Sequence, residues 1–277
     1  MPTNNAIDTP KPIDVPNGGT GLSTTTTAYG VIAAGTTATA PLQNIGTGSS
    51  GQILVSNGAG VLPSFQTPAS MTAINFVSIT ASGTYTPPSN LLYAIVECVG
   101  GGGGSSGIAA TGVGQVGVSA AGGGGGYSKK IYAKSALLPN VSVTIGAAGA
   151  AGAAGATNGG NGGTTTFLGM SAPGGDGGTN IAVGATAVCF GTNGGVATGG
   201  DINITGSSPG VYGYSNTVGG NFNMGYSGTS PYSSQVDQNA GNGYGGGGSS
   251  NWSDGSVAAK AGFAGSPGVV FITEFLA

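Results

Sequence analysis

Short apolar segments rich in β-branched and aromatic residues recur along the chain, cut apart by Gly, Asn and Pro. The longest, Leu91–Val99, reads LLYAIVECV and predicts a central strand that runs straight into a block of glycines. Residues 79–86 alternate as a strand and stop at Pro87-Pro88. Further strands are predicted at 127–132, 141–145, 164–168 and 269–275. Upstream, residues 17–66 hold shorter pieces at 29–32, 52–55, Val61-Leu62 and Phe65, between turns such as Asn17-Gly18-Gly19 and Asn57-Gly58. Strands this short do not make a stable sheet alone. Packing against sister chains is the expected remedy, and 67–78 reads as a linker into a second unit.

Composition changes this picture. Gly supplies 61 of 277 residues, about three times the average usage. A collagen helix is excluded, because Gly runs in blocks and Pro totals only 14. Disorder is also a poor fit: 38% of residues are hydrophobic and the net charge is −3. Each ordered Gly costs roughly 0.5–1 kcal/mol relative to Ala, so ordering them all costs roughly 30–60 kcal/mol. Domains keep a net stability of only about 5–15 kcal/mol. Dense backbone hydrogen bonding must recover the difference, and an intertwined oligomer sharing one core is the expected source. Gly146, Gly149, Gly152 and Gly155 fall at every third position, the polyproline II period. That spacing fits stacked polyglycine II-like strands that satisfy each other's amides. It equally fits a flexible Gly/Ala loop.

Charge is scarce. Residues 15–96 contain none, so their surface must be Thr, Ser, Asn and Gln. Residues 1–16 carry Pro2, Pro10, Pro12 and Pro16 and read as an extended attachment arm or a disordered terminus. The N-terminus lacks a secretory pattern, and no apolar run suits a membrane helix. Cys98 and Cys189 read as small buried hydrophobes or a disulfide, and the sequence leaves the pairing open.

Catalytic chemistry finds little support. There is no His, and Asp8, Asp14, Glu97, Asp176, Asp201, Asp237, Asp254 and Glu274 are scattered. Only a carboxylate pair assembled in space, or between subunits, would supply glycosidase chemistry. The expectation is no enzyme, no catalytic residue, no metal and no cofactor. Gly-Lys pairs are absent, which argues against a phosphate loop. Lys129, Lys130 and Lys134 form the one basic cluster and read as a solvated strand edge, so no nucleic acid is expected. Asp176, inside a Gly-Gly-Asp-Gly-Gly run, reads as a turn residue.

Residues 207–254 concentrate Tyr212, Tyr214, Phe222, Tyr226, Tyr232, Tyr244 and Trp252 among Ser, Asn and Gly. Rigid aromatics with small polar neighbours suit an adaptable binding surface for a sugar or a protein. The other reading is that the rings cover glycine backbone or pack at a trimer interface.

The strings DVPNGGTG (14–21) and TTAYGVIAAGTTATAPLQNIGTGSSGQILVSNGAGVLPSFQ (26–66) resemble a module of bacteriophage tail fibres. The GTYTPP opening, GGGGGYSKK, VSVTIGAAG, GGTTTF and the closing GSPGVVFITEF resemble the glycine-rich C-terminal domain of such fibres, over 79–277. The resemblance implies a fibrous all-β fold: an N-terminal attachment arm (1–16), an intertwined trimeric stem module with linker (17–78) and a glycine-rich distal domain on a β-scaffold (79–277). It further implies a virion protein that attaches to a host surface. The expected partners are itself as a homotrimer, a phage tail or baseplate protein through the arm, and a host surface glycan or protein. The alternative is a self-assembling extracellular filament or virion decoration subunit without its own receptor.

Overall fold

The computed structural model describes residues 28–34, 42–179, 181–215, 220–222, 226–236 and 238–277. The arm at 1–16 and the Asn17-Gly18-Gly19 turn lie outside them. The chain forms two compact units, Met1–Ser70 and Met71–Ala277.

The smaller unit contains two antiparallel ladders. One pairs β1 (Val31–Ala33) with β2 (Gln43–Gly46), the other β3 (Ile53–Val55) with β4 (Ser64–Gln66). The turn predicted at Asn57-Gly58 is present: the Asn57 amide donates to Leu62 O at 2.7 Å, and Gly58 takes a φ of 104° that only glycine adopts easily. Strand β4 contains Phe65, whereas Val61-Leu62 is not a strand.

The larger unit opens with β5 (Ala73–Ile79), β6 (Gly83–Tyr85), β7 (Leu91–Val99), β8 (Val116–Ser119), β9 (Tyr127–Ala133) and a short helix α1 (Lys134–Leu137). It continues with β10 (Val141–Thr144), β11 (Thr165–Phe167), β12 (Met170–Ala172), β13 (Ile181–Gly184), β14 (Thr186–Cys189), β15 (Ile202–Ile204), β16 (Tyr212–Ser215), β17 (Gly220–Phe222), β18 (Trp252–Asp254) and β19 (Val269–Leu276). A five-stranded antiparallel sheet runs β15-β9-β7-β19-β5, with β7 at its centre as predicted. A second sheet, β12-β11-β10-β6, packs on its inner face. Between them lie Leu91, Val96, Cys98, Phe167, Met170 and Ile272. Burial pushes the Cys98 thiol up to about 12 and that of Cys189 up to about 11. No disulfide joins the two, and both sit in the interior.

Two boundaries differ from the sequence reading. Residues 73–78, read as linker, belong to β5, whose full length pairs with β19. The single strand expected over 79–86 is two, because the chain leaves one sheet at Ile79 and enters the other at Gly83.

Between strands, the glycine blocks form a hydrogen-bonded bundle of extended runs. Residues 100–108 lie at its centre and hand successive N–H groups to different neighbours in a cycle of three. Gly100, Gly103 and Ser106 donate to Gly126, Gly123 and Ala120 at 2.9, 2.9 and 3.0 Å. Gly101, Gly104 and Gly107 donate to Gly163, Gly160 and Thr157. Gly102, Ser105 and Ile108 donate to Ser266, Phe263 and Lys260. The carbonyls are used likewise: Gly149 and Gly152 donate to Gly102 and Ser105, Gly175 and Gly178 to Gly101 and Gly104, and Gly248 to Gly103. Three residues per turn with every bond made to a neighbour is the polyglycine II arrangement, so the flexible-loop alternative for this region is set aside.

This packing explains the glycine blocks by space. A Cβ on Gly101, Gly102, Gly103 or Gly104 would stand 2.1, 2.0, 2.1 or 2.0 Å from a neighbouring carbonyl oxygen. Where a side chain does enter, it is often a hydroxyl that takes up an N–H. Ser105, Ser106, Ser119 and Ser266 accept from Phe263, Ala120, Asn251 and Gly246. At the rim the three-residue period is visible in burial: Gly146, Gly149 and Gly152 are buried and the alanine pairs between them are exposed. Asp176 is likewise part of an extended rim run, bonded from its N–H to Asn193 O, and is not in a turn.

Among the described residues, the glycine peptide groups of the bundle thus find their partners inside one chain. Glycine content by itself therefore carries no argument for sister subunits.

Candidate receptor-binding surface

The bundle has two ends, set by chain direction. Residues 100–108 leave the five-stranded sheet from β7, and 120–126 return to it into β9. Both termini of the larger unit lie in that sheet, where Ala73 pairs with Leu276. The far end begins where Ile108 and Thr111 bridge to Lys260 and Val257. The turn after Thr111 closes on itself, with the Gln115 side-chain Oε1 accepting from Gly112 N at 2.8 Å. Val113 projects from it, 92% exposed.

Trp252 belongs to this far end. It sits on β18 opposite Val118 of β8, and β13 flanks β8 on the other side. Its ring is part-buried against the small cluster of Val116, Val118, Ala120, Ala187 and Cys189. The Lys260 ammonium lies 6.0 Å from the ring centroid and donates to Trp252 O at 2.9 Å. That geometry leaves an indole beside a cation, a combination able to stack a sugar ring or engage a carbonyl-rich loop.

Strands β14, β16 and β17 form a three-stranded sheet whose first and second members pack beside β8. Tyr212 stands opposite Cys189, Tyr214 opposite Ala187, and Phe222 opposite Gly213. Four of the sequence candidates, Tyr212, Tyr214, Phe222 and Trp252, therefore stand on two small sheets, one containing β8 and the other packed beside it. Tyr226 is 44% exposed and leads into the run whose Gly228 bonds Gly122 O.

Tyr232 and Tyr244 are elsewhere. They fold over the outer face of the five-stranded sheet, with ring centroids 4.8 and 5.7 Å from that of Phe271. Tyr232 is also 6.1 Å from Tyr127, and its hydroxyl donates to Glu97. Glu97 in turn holds Lys129 at 2.8 Å. Burial pushes the Glu97 carboxyl up, but hydrogen bonds from Lys129 and Tyr232 and the Lys129 charge outweigh it, and the carboxyl titrates below its usual value. These two rings pack on Phe271 and, for Tyr232, on Tyr127 of the same chain. Lys129 does not border an open edge either, because β15 pairs alongside it. Lys130 donates to Gly199 O at 3.3 Å, and Lys134 to Ser89 O.

The sequence reading missed the outer face of the five-stranded sheet. Ile74, Phe76, Tyr93 and Ile131 are exposed there, and Tyr93 stacks on Phe275 at 4.3 Å. The signal was present as the alternation of Ile74 and Phe76, inside the stretch taken for a linker. Among the described residues no group of three or more His, Cys, Asp or Glu could hold a metal ion.

A search of curated proteins returned no match. The model of a family described as a glycine-rich domain, Gly_rich_2, matches residues 78–273, from the end of β5 into β19. On that match the chain belongs to the Gly_rich_2 glycine-rich domain family.

Proposed function

We propose that the protein is a phage tail-fibre-like structural subunit that attaches to a host cell surface receptor as a homotrimer. In this reading the smaller unit is stem, the arm at 1–16 joins a tail or baseplate partner, and the glycine-rich unit is the tip. The observation that carries the reading is the separation of the two ends of the bundle. The chain enters at Met71 and finishes in the same sheet, while the Thr111–Gln115 turn and Trp252 lie at the other end. Nine extended residues, 100–108, cover about 25 Å between them. A rigid spacer of this kind holds the loops at its far end away from their support, and three such tips would raise avidity. The trimer here rests on the stem resemblance and no longer on glycine.

The test is adsorption of labelled full-length protein to host cells. Trp252→Ala and Tyr226→Ala are expected to weaken adsorption while leaving mass and circular dichroism unchanged. Undiminished adsorption in both would remove the binding role from this end.

A second reading, a filament or decoration subunit without its own receptor, is favoured by one feature. Strand β5 is a seven-residue edge with no charge and no Pro, the protections that edge strands commonly carry. Electron microscopy separates the two readings: discrete short particles fit the first, long filaments the second.

A further inference from the structure

We propose that the bare outer face of the five-stranded sheet is where copies of this chain meet. The inference rests on the trimeric reading above and adds the surface that seals it.

The register defines the face. One cross-strand row reads Ile131, Ile95, Thr273, Phe76, and the next Ala133, Tyr93, Phe275, Ile74. None of these positions bears a charge. Phe76 is 79% exposed and Ile131 58%. An antiparallel sheet with one solvated face ordinarily alternates apolar and polar residues. Here both faces are apolar, the pattern of a sheet covered on two sides, yet among the described residues of the larger unit the outer face carries only the Tyr232 and Tyr244 cap. The row above, Lys129, Glu97 and Phe271, shows what coverage looks like, because Tyr232 folds over it. That cap stops short of Phe76 and leaves a groove of about 490 Å³ between Phe76 and Tyr232. Contiguous exposed apolar surface of this kind marks an interaction site.

Two features commit the occupant to a second copy. The face is neutral: its bordering charges, Glu97 and Lys129, already neutralise each other. It offers nothing to a charged partner and is compatible with itself. The covalent connection adds to this. Residues 1–70 join the larger unit at Met71, two residues before β5, the strand that carries Phe76. Chains gathered through their first 70 residues would bring their copies of this face together on short tethers, at high effective concentration.

The experiment uses the full chain. Phe76→Cys and Ile131→Cys place a thiol on the face, and Val113→Cys places one at the far end as reference. The native thiols are buried and should stay silent. The mass of each protein is measured by light scattering, and maleimide labelling rates are compared. The expected result is a trimer in which positions 76 and 131 label at least about tenfold more slowly than position 113, as amides and thiols in sealed contacts do. A trimer labelled equally fast at all three positions would overturn the inference and leave the attachment reading standing. A wild-type monomer would overturn the trimeric reading and this interface together.

Discussion

Gly102 and Gly246 approach so closely that a Cβ placed on Gly102 would stand 2.0 Å from the Gly246 carbonyl oxygen. The Gly102 N–H meanwhile bonds Ser266 O, so the run cannot shift away without breaking its ladder. Gly102→Ala is therefore expected to cost about 3 kcal/mol or more, at the upper end of overpacking effects. Gly83, which has open space where its Cβ would go, is the control. Gly83→Ala should change stability by no more than about 0.5 kcal/mol. Urea denaturation of both variants measures the contrast.

The rim offers a finer version of the same test. Gly149 would meet Gly160 O at 2.3 Å, whereas its neighbour Ala148 is exposed. Gly149→Ala is expected to destabilise clearly, and Ala148→Ser to stay within about 0.5 kcal/mol. If the two were equally harmless, this run would not be held in the lattice.

The buried carboxylate of Glu274 depends on neutral donors. Tyr85 donates to one oxygen at 2.6 Å and Asn75 to the other at 2.8 Å. Tyr85→Phe should lose about 1.5–3 kcal/mol, the worth of a hydrogen bond to a charged group. The double variant with Glu274→Leu should lose less than the sum of the single changes, because no orphaned carboxylate remains. Equilibrium unfolding across the four-protein cycle reads the coupling.

Glu97 sets a pH dependence. Its folded carboxyl titrates below the unfolded value near 4.3, so its pairing with Lys129 and Tyr232 contributes fully above that pH. The contribution falls as pH drops through the folded value. Glu97→Gln should therefore narrow the stability difference between pH 7 and pH 3 relative to wild type. Thermal unfolding at several pH values would show an unchanged slope if the pair contributed nothing.

Much of the scaffold was legible in the sequence. Leu91–Val99 is a strand to the residue, and β9, β10, β11 and β19 fall where apolar runs with β-branched residues lie next to Gly, because such runs mark strands independently of partner. The three-residue spacing from Gly146 to Gly152 pointed to the lattice. What the sequence hid was where the lattice's partners come from. Gly101 bonds Gly163 across 62 positions, and nothing local distinguishes that from a bond to another chain. The aromatic group was legible only as a concentration. Trp252 and Tyr232 are 20 positions apart and lie at opposite ends of the bundle, because the run between them crosses its length. Strand β5 was missed because a charge-free stretch after Thr67-Pro68 looks like a tether until its partner β19, some 200 residues later, is known.

The rim run at 146–155 has one further consequence. Gly146, Gly149 and Gly152 are buried, while the alanine side chains between them face water even though the Ala147 and Ala150 carbonyls are bonded in the bundle. Mutation can rewrite those outward positions one by one while the backbone beneath keeps its course. A lineage under pressure to change its exterior would find the freedom here two letters out of every three, with no need to reinvent the fold.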